Sequence, residues 1–169
     1  LRQIGIEPDH IIAPQIDETP KKGEPPRAHA LRLALEKLLP SEGFSIAADT
    51  VVALGSRILP KAETKSQAEK CLSLLSGRRH RVYTGVAVRA PDGKIASRAV
   101  GSVVGFSRLD HAQMAEYLAS GEWEGKAGGY AIQGQAARFI DFISGSYSAV
   151  VGLPLYETSS LLRGLGWKP

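Results

Sequence analysis

A single cysteine, Cys71, stands in the whole chain, so no internal disulfide can form, and no cysteine–histidine cluster has zinc-ligand spacing. The reducing cytoplasm is therefore the expected compartment. Long apolar runs are missing too: none approaches the roughly 20 residues of a membrane-spanning helix, and Leu1–Ile6 do not have the layout of a signal peptide. Neither internal repeats nor a glycine- or proline-rich linker divides the chain, which argues against a fibrous or multi-domain protein. What is present is globular usage: 169 residues, 43% hydrophobic and 22% charged, enough for one domain that buries about two-thirds of its unfolded surface. The formal charge of +4 suits nucleic acid, and equally a pocket for a small polyanion.

Periodicity and turn chemistry divide the chain into helices and strands. Leu1–Gly5 reads as the last turn of a helix stopped by glycine, and Ile11, Ile12 and Ile16 suggest a short strand running into the turn-forming Asp17-Glu18-Thr19-Pro20. Apolar residues at three- and four-residue spacing predict a helix from Arg27 to about Leu39, with Lys37 near its end and Pro40 as its stop. Phe44–Leu54 is short, apolar and β-branched, which predicts a buried strand with Asp49 in its middle. Thr64 and Gln67 form a capping box for a helix stopped by Gly77. Arg81–Val88 and Ile95–Phe106 are expected to pair antiparallel about the turn at Pro91-Asp92-Gly93-Lys94. A third helix follows Asp110 to about Ser120, Ala136–Ile143 suggests another strand, and Pro154 opens a closing helix to Leu162. Hairpin-linked and helix-linked strands together predict an α/β single domain with a mixed, twisted central sheet flanked by helices.

Asp49 is the first residue to weigh for chemistry, because a carboxylate in an apolar strand must be compensated by a cation, a metal or hydrogen bonds. Asp17 and Glu18 could add oxygen ligands for magnesium, though alone they read as a solvated turn. Lys37 and Lys61 could neutralise phosphate charge, but they are two of 21 lysines and arginines and spacing does not single them out. Ser76–Gly85 joins a helix stop to a strand and carries Arg78, Arg79, His80 and Arg81, a set that suits an anion or a charged, solvated turn. Lys126–Gly134 is glycine-rich and permits close backbone approach, and its Gln133 has both the donor and the acceptor needed to read a base edge. Ser144–Ser148 could hold an anion or simply turn the chain. His10, His29 and His111 lack any catalytic or metal spacing.

Six segments occur in one order: Asp17-Glu18-Thr19-Pro20, Ala48-Asp49-Thr50-Val51-Val52, Leu75–His80, Tyr83-Thr84-Gly85-Val86, Gly129–Gly134, and Gly145-Ser146-Tyr147 through Leu155. Together they strongly resemble the Maf (septum-formation) family over nearly the whole chain. The resemblance implies an α/β fold similar to that of inosine-triphosphate pyrophosphatases. It also implies hydrolysis of a nucleoside triphosphate to the monophosphate and pyrophosphate with Mg2+ or Mn2+. On that resemblance Asp49 is the catalytic base and a metal contact, Asp17 and Glu18 an acidic pair near the metal, and Lys37 and Lys61 catalytic cations. Thr50 and Gln133 match positions of substrate selection, and Gln133 points to the dTTP/UTP subgroup; Arg78 and His80 are candidates for phosphate binding. A cytoplasmic homodimer with a nucleotide-pool role, and a possible link to cell-division arrest, is implied in the same way. Nucleic acid and membrane partners are not expected.

The chain departs from the family pattern in three places. The family's opening strand and Ser-x-Ser-x-Arg-Arg loop have no counterpart before Leu1, so the single domain over 1–169 is expected to be N-terminally truncated. Pro60-Lys61-Ala62 stands where Gly-Lys-Pro is frequent, and Ala149 where asparagine is common. The competing expectation is a catalytically impaired nucleotide- or nucleic-acid-binding remnant of the same fold.

Overall fold

In the computed structural model, which describes residues 1–168, the apolar run around Asp49 becomes strand β1 (Ser45–Leu54). It turns back through Gly55 into a short strand, β2 (Arg57–Leu59). Strand β3 (Arg79–Arg89) lies on the other side of β1, followed by β4 (Ile95–Phe106) and β5 (Ile140–Ser144), giving the order β2-β1-β3-β4-β5. Every neighbouring pair is antiparallel, which corrects the expectation of a mixed sheet. The helix-linked strands β2 and β3 do run in the same direction, but β1 lies between them, so they never share hydrogen bonds.

Among the described residues five α-helices complete the α/β domain: α1 (Pro26–Glu36), α2 (Lys65–Leu75), α3 (His111–Ser120), α4 (Tyr147–Val151) and α5 (Leu155–Gly164). Both expected caps form as full capping boxes, Thr64 with Gln67 on α2 and Asp110 with Gln113 on α3. Helix α1 starts at Pro26 and ends at Glu36, with Lys37 as its C-cap, a little short of the expected Leu39. Around Ile11 and Ile12 there is no strand. The segment is irregular, it carries Pro8 and Pro14, and the two isoleucines remain 89% and 67% exposed, so neither pairing nor burial favours extension into a sheet. The strand expected over Ala136–Ile143 is displaced, because Gln135–Phe139 winds into a 3-10 helix before β5.

Strand alternation decides what each face of the sheet touches. In the register of β1 with β3, Asp49 faces Gly85 and Thr50 faces Thr84. Helix α1 lies on the odd-numbered face, so close that a Cβ on Gly85 would sit 2.3 Å from the Ala30 carbonyl oxygen. Glycine is required there by contact, not by backbone angle. On the even-numbered face Val82 joins one apolar core with Leu72, Leu75, Phe106, Tyr117 and Phe139, and Val86 and Val88 pack against Leu161 and Leu162 of α5.

The short β2 pairs only with Val52–Leu54. Among the described residues no strand covers the outer edge of β1 from Ser45 to Val51, and Asp49 and Thr50 lie on that open stretch.

Candidate active site

Asp49 is 5% exposed, and a carboxylate so deep must be compensated. Two lysines compensate it. Lys37, the C-cap of α1, donates through Nζ to Asp49 Oδ1 and lies 2.5 Å from Glu18 Oε1. Lys61 Nζ donates to Glu18 Oε2 at 2.5 Å and stands 3.7 Å from Asp49 Oδ1. Two carboxylates and two ammonium groups thus form one closed cluster. Burial raises the pKa of Glu18, but the hydrogen bonds from Lys37 and Lys61 outweigh it and bring the net value below the ordinary one. In Lys37 burial acts to lower the pKa, and the bonds to Asp49 and Glu18 raise it overall, so this lysine stays a cation.

Each lysine is placed by local backbone structure. The end of α1 delivers Lys37, where the helix dipole also favours a positive charge. Lys61 is held by pairing with the glycine-rich loop: Ala62 N donates to Lys126 O, Gly128 N to Pro60 O, and Lys61 bridges Ala127. Gly128 has φ 67°, and a Cβ there would meet Val52 Cγ1 at 2.8 Å, so this loop can lie against β1 only with glycine at that position.

Both oxygens of Glu18 and Oδ1 of Asp49 are engaged by lysine, whereas the buried Asp49 Oδ2 has no hydrogen-bond partner. It is the one free carboxylate oxygen of the cluster. Two cavities meet here. One, of about 340 Å³, is lined by Lys37, Asp49, Thr50, Lys61, Lys126 and Gln133 among others. The second, of about 540 Å³, lies toward α1 and shares Asp49, Thr50 and Lys61 with the first. They meet at these shared residues.

The expected site residues fall into two groups. Asp49, Glu18, Lys37, Lys61, Thr50 and Gln133 converge on these cavities. Asp17 does not: it is exposed, and its Oδ1 accepts from the Thr19 amide at 2.9 Å, so it closes its own turn. Arg78 is exposed at the start of β3, seven residues from the Gly85 that faces Asp49, or roughly 23 Å at about 3.3 Å per strand residue. His80 is 2% exposed; its Nε2 shares a 2.7 Å hydrogen bond with the Tyr130 hydroxyl, and its ring packs edge-on against Phe106 and Tyr130. Burial pushes its pKa down to about 4, so it is a neutral core residue and lines neither cavity. Alternation explains the difference: His80 lies on the even face of β3, together with Val82 of the core. The Ser144–Ser148 loop uses the Ser146 hydroxyl to accept from Ala149 N and so caps α4.

Two contributors were not singled out by sequence. Lys126 lines the smaller cavity and forms no ion pair among the described residues; its only sequence signal is its place at the head of the glycine-rich loop. Arg32 donates to Glu24 and to the Thr19 carbonyl, and Glu24 also bonds His29 Nδ1, so the loop carrying Glu18 is tied to α1. The spacing of His29 and Arg32 on one helical face was available, but nothing in the sequence marked Glu24 as their partner.

A buried carboxylate with one free oxygen, flanked by cations where two cavities meet, is the class of site suited to polyphosphate esters. The chain belongs to the Maf family: the family described as "Maf-like protein" matches residues 1–165. It is 57% identical over 175 residues to a dTTP/UTP pyrophosphatase of Caulobacter vibrioides, covering all of this chain and 90% of that protein. It is 58% identical over 174 residues to the dTTP/UTP pyrophosphatase of Paramagnetospirillum magneticum, covering all of this chain and 92% of that one. A third, from Hyphomonas neptunium, is 58% identical over 171 residues, covering 99% of this chain and 90% of that protein.

Proposed function

We propose that this chain is a nucleoside triphosphate pyrophosphatase that hydrolyses dTTP and UTP to the nucleoside monophosphate and pyrophosphate, on a fold of the inosine-triphosphate-pyrophosphatase kind. The observation that carries the reading is Asp49 itself, a buried carboxylate with Oδ1 anchored by lysine and Oδ2 unpartnered at the cavity. The names borne by relatives more than 50% identical over the full chain support the pyrimidine substrates.

In this reading the triphosphate lies over Lys37, Lys61 and Lys126, and the base lies beside Thr50 and Gln133 in the cavity that these residues share. Asp49 Oδ2 accepts a proton from a water that attacks the α-phosphorus. The bond from that phosphorus to the α–β bridging oxygen breaks, and pyrophosphate leaves with its new negative charge met by the lysines. Lys37 and Lys61 meanwhile hold the carboxylate in place.

A divalent cation fits this donor set. Magnesium takes one or two carboxylates together with water and substrate phosphates, and Asp49 Oδ2 is an orphaned buried oxygen of that kind. No group of three or more histidine, cysteine, aspartate or glutamate side chains among the described residues forms a closed cage. Asp49 and Glu18 would therefore hold the ion through its bound water, with Asp17 apart from it, which leaves Asp49 Oδ2 free as the proton acceptor. When bound, the cation would draw negative charge off the phosphate oxygens. The family resemblance further supports a cytoplasmic homodimer; no helix among the described residues is long and apolar enough to cross a membrane.

The test is pyrophosphate release from dTTP, UTP, 7-methyl-GTP and ITP with magnesium, manganese or chelator. Preferential, chelator-sensitive cleavage of dTTP and UTP is expected. Preference for 7-methyl-GTP would overturn the substrate assignment, and salt-sensitive nucleic-acid binding without any hydrolysis would overturn the enzyme.

A further inference from the structure

Thr50 and Thr84 face each other across β1 and β3, their hydroxyl oxygens 2.9 Å apart. Thr84 also donates to the Ala149 carbonyl at 2.6 Å, within the range of a short, well-made O–H···O bond. A hydroxyl has one proton. That of Thr84 is committed to Ala149, so the bond between the two threonines is made with the proton of Thr50. What Thr50 then turns toward the cavity it lines with Gln133 is lone pairs alone.

The arrangement is held from behind. Ala149 lies in α4, whose N-cap Ser146 accepts from its amide, and its carbonyl also accepts from Gly152 N at 3.1 Å. Both lone pairs of that carbonyl are therefore used. Thr84 is fully buried, 0% exposed, and lines neither cavity, so any effect it has on a ligand passes through Thr50.

We propose that Thr84 and the Ala149 carbonyl fix Thr50 as a hydrogen-bond acceptor, and that this polarity selects bases presenting an imide N–H between two carbonyls, uracil and thymine, over cytosine. Cytosine presents a bare ring nitrogen at the same position, and two acceptors cannot bond. Thr84 is in this sense a positioning residue for specificity, and the inference rests on the pyrimidine-triphosphate reading above. Removing its hydroxyl frees the Thr50 proton to rotate and donate into the cavity, which relaxes the selection.

The experiment compares kcat/KM for UTP and CTP in the wild type, Thr84→Val and Thr84→Ser, together with wild-type turnover of 3-methyl-UTP, which lacks the imide proton. Valine is close to threonine in shape, and the Ala149 carbonyl keeps Gly152. The UTP-to-CTP ratio is expected to fall about 10-fold or more in Thr84→Val, as one hydrogen bond or its absence dictates, through a lower KM for CTP. Serine should restore the ratio, and wild-type enzyme should use 3-methyl-UTP as poorly as CTP. An unchanged ratio in a folded Thr84→Val protein overturns the proposal. Turnover of 3-methyl-UTP equal to that of UTP overturns it as well, and decides the matter if the valine variant does not fold. Failure of the wild type to cleave UTP at all strikes the functional reading instead.

Discussion

Replacing Asp49 by asparagine separates catalysis from folding, because the amide keeps the shape of the carboxylate and its oxygen can still accept from Lys37. The cluster of Asp49, Glu18, Lys37 and Lys61 goes from balanced charge to one excess positive charge. At the 3.7 Å between Lys61 and Asp49, one charge pair is worth about 4 kcal/mol at an effective dielectric of about 20. The desolvation of Asp49 is relieved at the same time, and Glu18 still holds both lysines, so the net loss of stability should be about 1–3 kcal/mol. For a chain of this size that lowers the melting temperature by roughly 2–10 °C. Catalysis should fall much further, by about 10²–10⁴-fold in kcat, the usual contribution of a general base. The assay is pyrophosphate release from dTTP at saturation, alongside thermal unfolding of the same preparation. A folded Asp49→Asn protein that retains more than a tenth of wild-type kcat would remove Asp49 from the proton transfer.

Two further outcomes test the fold that presents the site. Gly85→Ala places a Cβ against the Ala30 carbonyl, so α1 must shift; a loss of about 3 kcal/mol or more is expected in denaturant unfolding, and native-like stability would show that α1 does not sit so close. His80, with its folded pKa lowered to about 4 from an ordinary 6.5, binds a proton more readily unfolded than folded. Its contribution is therefore complete above pH 6.5 and declines as pH falls toward 4. His80→Gln should flatten the stability-versus-pH curve over that window, and an unaltered slope would place the acid sensitivity elsewhere.

The sequence was most legible where local chemistry decides structure. The capping boxes at Thr64 and Asp110 and the β1 and β4 runs needed only spacing and side-chain type. It was least legible where partners lie far apart in the chain. Around Ile11 and Ile12 the only local warning is Pro8 and Pro14, and nothing near Gln135 indicates that the chain winds there before β5. The site divides in the same way. Asp49 stood out because burial of a lone carboxylate demands compensation, whereas Glu18 gained meaning only once α1 and the Lys61 bridge brought two lysines to it. His80 misled because a run of basic residues in a strand alternates between solvent and core, and only the register says which side each takes. Arg78 misled because proximity in sequence to the Tyr83-Thr84-Gly85 motif is distance in an extended strand.

In the proposed reading, chemistry and recognition depend on two consecutive residues of β1, Asp49 and Thr50, pointing to opposite sides of one sheet. A slip of a single position between β1 and β3 would carry each side chain to the other's side. The Asp49 carboxylate would then leave Lys37, and the Thr50 hydroxyl would leave Thr84. Length is therefore constrained in this strand more tightly than composition. One residue inserted or deleted between the β2 pairing and Asp49 would break both the lysine cluster and the threonine pair without removing a single functional group.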